Sequence, residues 1–263
     1  MAKLDLITSS TRPAAPAAGK AYFETDTNKV IIWDGAAWTE IVSDTVPAFS
    51  NAYSVEFDGG NDYINAGNDS SLNISGDITL SAWVKQRVQN NYGAIFSKRQ
   101  VGGSMNYQLI MKNGTGAIGL GHSGGSWFYD STSLPTGSWY HVAATVSSGT
   151  IQLYVNGEEK DSTTGATITG TTQDLIIGAT LGYNYFDGLM DELAIFSSAL
   201  SSTQIATMYN SGVPASLSSL SPVSWWRMGD NDNGTGTTIT DQGSGSNNGT
   251  LTNGPTFSSS VPS

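Results

Sequence analysis

The feature that most constrains this chain is the alternation in Ile78-Thr79-Leu80-Ser81-Ala82-Trp83-Val84-Lys85. Ile78, Leu80, Ala82 and Val84 share one parity, while Thr79, Ser81, Trp83 and Lys85 share the other. Side chains of a strand point alternately to its two faces, so the run predicts a strand with one apolar and one mostly wet face. Upstream, Val55-Glu56-Phe57 leads into Asp58-Gly59-Gly60-Asn61-Asp62, and Tyr63-Ile64-Asn65 returns. Half-wet strands with Asp-Gly punctuation belong in an antiparallel sheet packed on one side.

Further apolar runs follow at residues 93–98, 107–112, 117–120, 127–129, 139–146, 150–155, 175–177 and 189–196. Turn pairs such as Asn113-Gly114, Ser148-Gly149 and Asn156-Gly157 separate several of them. Strands at this spacing, without helical periodicity between them, predict a sandwich or barrel. One helix interrupts. Ser201 is placed as its N-cap with Gln204 completing a capping box, Ile205, Met208 and Tyr209 form a one-sided stripe, and Gly212 marks the stop. The 31 glycines suit a chain with many turns. A formal net charge of −11 argues against a basic surface for nucleic acid or anionic lipid. No run approaches the ~18 apolar residues of a membrane span, and the N-terminus lacks the apolar region of a signal peptide. There is no cysteine, hence no disulfide framework.

The order of landmarks carries a family resemblance. Phe57-Asp58-Gly59, Asp62-Tyr63-Ile64 and Ile78–Val84 are followed by Trp139-Tyr140-His141-Val142-Ala143, Leu153-Tyr154-Val155-Asn156-Gly157 and Phe186-Asp187-Gly188-Leu189-Met190-Asp191-Glu192. This series, over residues 53–212, resembles the laminin-G-like branch of the concanavalin A-like lectin/glucanase superfamily. The resemblance implies a two-sheet antiparallel jelly-roll sandwich. It does not fix an activity, since the superfamily holds lectins, enzymes and adhesion modules.

Three segments are expected. Residues 1–46 read as a Pro-rich leader followed by a three-stranded meander, too small to stand alone. Their pattern from Arg12 to Trp38, R-P-x-x-P-x-x-G-x-x-Y-x-x-T-x-T…W-D-G-x-x-W, resembles short attachment or trimerisation segments of phage tail-fibre and other virion proteins. The alternative is a hairpin capping the main domain. Residues 47–212 form the sandwich. Residues 213–263 carry Trp225-Trp226-Arg227-Met228 and Gly249-Thr250-Leu251, which resemble the opening strands of a laminin-G-like module placed after it. They read as a circular permutation that completes the sandwich, against a truncated second module that would expose two tryptophans.

Candidate chemistry falls into three kinds. For catalysis, no E-x-D-x-E arrangement is present, and Asp191-Glu192 and Glu158-Glu159 are adjacent, so on regular strands they face opposite sides. His141 reads as structural and His122 as exposed in a Gly-rich turn. For metal, the resemblance implies one structural calcium ion, with Asp58, Asn61 and Asp191 at the matching positions. For glycans, aromatic and amide groups on loops suit sugar faces and hydroxyls. Asn91 and Tyr92, Trp127 and Tyr129, and Tyr183, Asn184 and Tyr185 are the candidates. The 183–185 cluster is preferred over the reading that these rings fill the core.

The combined expectation is a non-enzymatic structural protein of a phage virion, made in the host cytoplasm and homotrimeric. It would attach to other virion proteins through residues 1–46 and display a lectin-like domain to surface glycans, without nucleic acid or membrane insertion. A purely structural capsid or tail protein and a polysaccharide hydrolase are the alternatives.

Overall fold

The Asn113-Gly114, Ser148-Gly149 and Asn156-Gly157 pairs form tight turns, and the alternating run from Ile78 is a strand. The computed structural model describes residues 5–24, 29–41, 49–89, 92–99, 105–180 and 182–263. The chain divides into two compact units, Met1–Ser50 and Asn51–Ser263.

The first unit holds β1 (Asp5–Ile7), β2 (Ala21–Glu24), β3 (Lys29–Trp33) and β4 (Trp38–Ile41), in the order β1-β2-β3-β4. Three strands are the expected meander. The fourth, β1, precedes the Pro-rich stretch and lies parallel to β2, and at three residues it is too short to show periodicity. Among the described residues the buried apolar ones here are Tyr22 and Ile31, with Trp38 edge-on to Tyr22 at 5.5 Å and to Trp33 at 5.4 Å. Glu24 is fully buried and clasped by the Arg12 guanidinium.

The second unit contains β5 (Ser54–Asp58), β6 (Tyr63–Asn65), β7 (Ile78–Gln86), β8 (Gly93–Arg99), β9 (Met105–Met111), β10 (Ile118–His122), β11 (Trp127–Tyr129), β12 (Tyr140–Ser147), β13 (Thr150–Val155), β14 (Glu158–Thr164), β15 (Leu175–Ile177) and β16 (Asp187–Phe196). Helix α1 (Ser202–Tyr209) follows, then β17 (Ser224–Trp226), β18 (Thr238–Ile239), β19 (Gly249–Thr252) and β20 (Thr256–Ser258). One sheet runs β14-β13-β12-β7-β16-β5-β20, with β17 also on β16. The other runs β11-β10-β9-β8-β15-β6-β19-β18. The pairings of both sheets are antiparallel, and their inner faces enclose one core that includes Phe57, Leu80, Val84, Phe96, Leu109, Leu153, Phe186 and Trp226. This is the two-sheet jelly-roll sandwich.

Residues 224–258 are built into both layers. β17 pairs with β16 and β20 with β5 in one sheet, while β19 pairs with β6 in the other. The helix has its capping box, Ser201 Oγ accepting from Gln204 N and Gln204 Oε1 from Ser201 N. It stops at Asn210, left-handed at φ 45°, two residues before Gly212.

The sequence did not signal β14. Its residues, EEKDSTT, are polar on both faces, so no apolar period marks them. Asn156 and Gly157, both at positive φ, turn the chain back and lay it on β13 as an edge strand. The second face of β7 also departs from expectation: it is buried. The Thr79 hydroxyl donates to Ser198 O and accepts from Leu200 N, and Trp83 stacks on Tyr209 of α1 at 5.7 Å. The helix thus roofs the outside of β7. Among the described residues nothing comparable covers β15, β6 and β19, whose outer face opens to two grooves.

Candidate functional site

Strand β10 reads Ile-Gly-Leu-Gly-His, so Ile118 and Leu120 enter the core and the two glycines face outward. Its neighbour β11 sends Phe128 toward the core and Trp127 and Tyr129 outward. Register places Tyr129 opposite Gly119 and Trp127 opposite Gly121. A methyl group on Gly119 would stand 2.3 Å from the Tyr129 ring, and one on Gly121 would stand 2.9 Å from that of Trp127. Both rings therefore lie down over bare backbone. Their centroids are 5.8 Å apart and their planes differ by 12°, giving a flat, half-exposed aromatic pair at the sheet edge. Lys112 Nζ stands 5.2 Å from the Tyr129 centroid. Burial, then the charge of neighbouring Tyr92, pushes the Tyr129 hydroxyl up to about 12, so it is a donor at neutral pH.

The structure thus brings Tyr92, Trp127 and Tyr129 together; Asn91 lies outside the described residues. The loop bearing Tyr183, Asn184 and Tyr185 is stapled to the same sheet. Gly178 N donates to Ile95 O at 3.2 Å, and Ala94 N to Asn184 O at 3.0 Å. Thr180 and Tyr183 bond each other's backbone, and the Gln108 amide donates to the Thr180 hydroxyl. Gln108 lies opposite Gly121, so that loop is held against the face carrying the aromatic pair. All three side chains are half-buried.

The same face carries a feature that the sequence reading missed. Ile64 and Ile177 point inward, so Tyr63, Asn65 and Ile176 must point out. With Arg99 and Thr172–Asp174 they line a groove of about 330 Å³. A shallower extension shares Asn65 and Asp174 and continues along Thr250 and Thr252. Parity about Ile64 was available in the sequence; the convergence of β6, β8 and residues 172–176 was not. Asn65 Nδ2 donates to Asp174 at 3.0 Å. Lys98 is buried beneath, donating to Asn68 Oδ1 at 2.9 Å and Gln173 O at 2.5 Å. Burial holds its ammonium down to about 8 against the favourable charge of Asp174.

The expected calcium ligands do not converge. Asp58 lies opposite Asp187, four residues before Asp191 on β16, which is about 13 Å of strand. Asp58 Oδ1 instead accepts from Gly60 N and, at 3.4 Å, from Asn61 N, which makes it a turn former. Asp191 has other company. A bulge between Asp191 and Ala194, with Glu192 at φ 48°, breaks the alternation and corrects the expectation that Asp191 and Glu192 face apart. With Asp230 their carboxylates lie within 4.8 Å of one another. Each of the six oxygens accepts from a donor: Asp191 from Glu192 N and Asn51 Nδ2, Glu192 from Trp225 Nε1 and Arg227 Nε, Asp230 from Ala52 N and Arg227 Nη2. Arg227 already supplies a cation, so these residues do not fit a calcium site. Burial first, then mutual repulsion, raises Asp191 well above the carboxylate range; burial raises Glu192 to about 7 despite Arg227.

Neither histidine is at an open site. His141 is buried, Nε2 on Ser81 Oγ at 2.8 Å, and burial holds it down to about 3. His122, expected to be exposed, is 9% exposed, because Thr167 N donates to its Nδ1 and packs that strand end.

The two antiparallel sheets enclosing one core define a jelly-roll β-sandwich, one sheet of which has an open outer face edged by aromatic rings. The chain belongs to the concanavalin A-like lectin/glucanases superfamily, whose laminin-G-type family model matches residues 58–206. A candidate carbohydrate-binding protein from Bacteroides ovatus shares the fold at 18% identity, with TM-score 0.65 over 94% of this chain and 71% of that one. A heptameric SAP-like pentraxin from Limulus polyphemus aligns at 20% identity and TM-score 0.50 over 60% and 82% of the two chains. Domain 4 of a Geobacillus stearothermophilus extracellular arabinanase, solved with arabinotriose, aligns at 25% identity and TM-score 0.49 over 59% and 76%. No curated protein matches the chain.

Proposed function

We propose that this protein binds glycans without turning them over, on the outer face of the sheet that runs from β11 to β18. The observation that carries this reading is the Trp127–Tyr129 pair, laid flat over Gly119 and Gly121 and still half-exposed. Rings fixed in one plane present an apolar surface to the C–H face of a pyranose at little entropic cost, while nearby hydroxyls and amides take its polar rim. Family membership and the shared fold of the Bacteroides ovatus protein support it. The absence of turnover is part of the same proposal, and the engagement of every oxygen in the Asp191–Glu192–Asp230 cluster supports it there.

The setting belongs to the same proposal. The Arg12–Trp38 pattern supports a place in a virion, joined to other virion proteins through residues 1–46. The slender core of that unit supports association of its own copies, as a trimer. Several weak sites on one particle would act by avidity.

Binding of the full-length protein to a glycan array, repeated with Trp127→Ala and Tyr129→Ala, tests the reading. Each substitution is expected to weaken binding about ten-fold, the equivalent of about 1.4 kcal/mol. Affinities unchanged in both variants would remove the aromatic pair from the site. A folded protein that binds no glycan would leave the purely structural role.

A further inference from the structure

Of the four arginines in this acidic chain, three are spent on carboxylates: Arg12 on Glu24, Arg87 on Glu56 and Asp187, Arg227 on Glu192 and Asp230. Arg99 has no such partner among the described residues, and its Nε has no acceptor. It lines the groove floored by Tyr63, Asn65 and Ile176. Beside it Lys98 is buried with neutral acceptors only, Asn68 Oδ1 and Gln173 O. The one acid of the groove, Asp174, is held by Asn65 Nδ2. The local balance is two cations against one carboxylate, on a protein whose formal net charge is −11.

An unpaired guanidinium in a cleft is a fork for a planar anion. The rest of the lining has the chemistry of sugar recognition: amides at Asn65 and Gln173, a hydroxyl at Thr172, and the Tyr63 ring. A volume of about 330 Å³ is at the lower end of ordinary small-ligand sites, enough for one or two pyranose rings. The groove also lies on the same face of the same sheet as the aromatic pair.

We propose that this groove is an acidic-sugar subsite, in which Arg99 binds the carboxylate of a uronic or nonulosonic acid residue while Asn65, Asp174 and the neighbouring hydroxyls bind its ring substituents. The inference rests on the glycan-binding reading and adds the charge class of the ligand. Asp174 accepts from ring hydroxyls, and its charge is offset by Lys98, so it orients the sugar without expelling the anion.

Calorimetry on the full-length protein compares trigalacturonate with its carboxyl-reduced trimer, and sialyllactose with lactose. At least one acid is expected to bind about ten-fold more tightly than its neutral counterpart, as a charge-assisted contact requires. The responding pair identifies the source of the carboxylate. Arg99→Gln is expected to erase that difference, with the urea midpoint unchanged. An acid preference that survives Arg99→Gln overturns the assignment. Equal affinities for acid and neutral forms overturn it too, while leaving glycan binding intact. A folded protein that binds none of the four sugars, nor any glycan on the array, refutes the underlying reading instead.

Discussion

Truncating Trp226 to alanine tests whether the C-terminal segment belongs to the sandwich. Trp226 sits on β17, beyond the 58–206 match, yet it is fully buried in the common core. It hangs from the sheet containing β16 and reaches Phe96 of the opposite sheet, 6.4 Å between ring centroids. Its Nε1 donates to Asn247 O at 2.7 Å. Removing an indole withdraws about 200 Å² of apolar surface from the core, worth about 5 kcal/mol, within the range of about 3–5 kcal/mol seen for large aromatic-to-alanine changes. Trp226→Phe keeps most of the packing but strands the Asn247 carbonyl, at a cost of about 2 kcal/mol. Urea unfolding followed by far-UV circular dichroism reads both changes as midpoint shifts, graded Ala beyond Phe. The total stability of such a domain is about 5–15 kcal/mol, so the alanine variant is expected to be marginal. A loss below about 1 kcal/mol in Trp226→Ala would refute the reasoning, because a ring on a peripheral appendage would cost that little.

Two further outcomes are expected. The buried acids are more costly charged than protonated, so the stability they allow is greatest below pH about 4.5 and declines as pH rises through about 7. His141, held down by burial, acts oppositely, its stability being lost as pH falls below 6.5 toward 3. Asp191→Asn removes the Asp191 part of the first effect and leaves the Glu192 part and the His141 effect, and Asn51 Oδ1, buried without a partner, can take the new amide after a flip. The variant's stability relative to wild type, from urea midpoints, should therefore rise as pH climbs above the ordinary carboxylate range; parallel curves would contradict the raised Asp191. For the first unit, deletion of residues 1–50 should turn an oligomer into a monomer by light scattering, and an unchanged number of chains per particle would place the association elsewhere.

The core was legible because each strand with one buried face writes that face into its parity: Ile78, Leu80, Ala82 and Val84 all lie inside. The cap of α1 was legible because capping is local chemistry. What the sequence hid was non-local. Whether Thr79, Ser81 and Trp83 meet water depends on a helix over a hundred residues away. The pairing of Asp191 with Glu192 depends on a bulge that neither residue signals. Trp127 and Tyr129 were visible as a pair of rings, but their flat seat depends on which two residues of β10 face them. Tyr63, Asn65 and Arg99 form a groove only after β6, β8 and the 172–174 segment leading into β15 come together.

The order in which the chain leaves the ribosome gives the closing strands a further consequence. β5 cannot be flanked on its second side until β20 is made, roughly 200 residues later, about 10–40 s at ordinary elongation rates. β6 likewise waits for β19. During that interval two nascent edges and the apolar surface that Trp226 will cover stay open to other chains. Sandwich closure then waits for slow, long-range pairing. Yield during expression should depend on how crowded the nascent chains are, more than on the final stability of the folded protein.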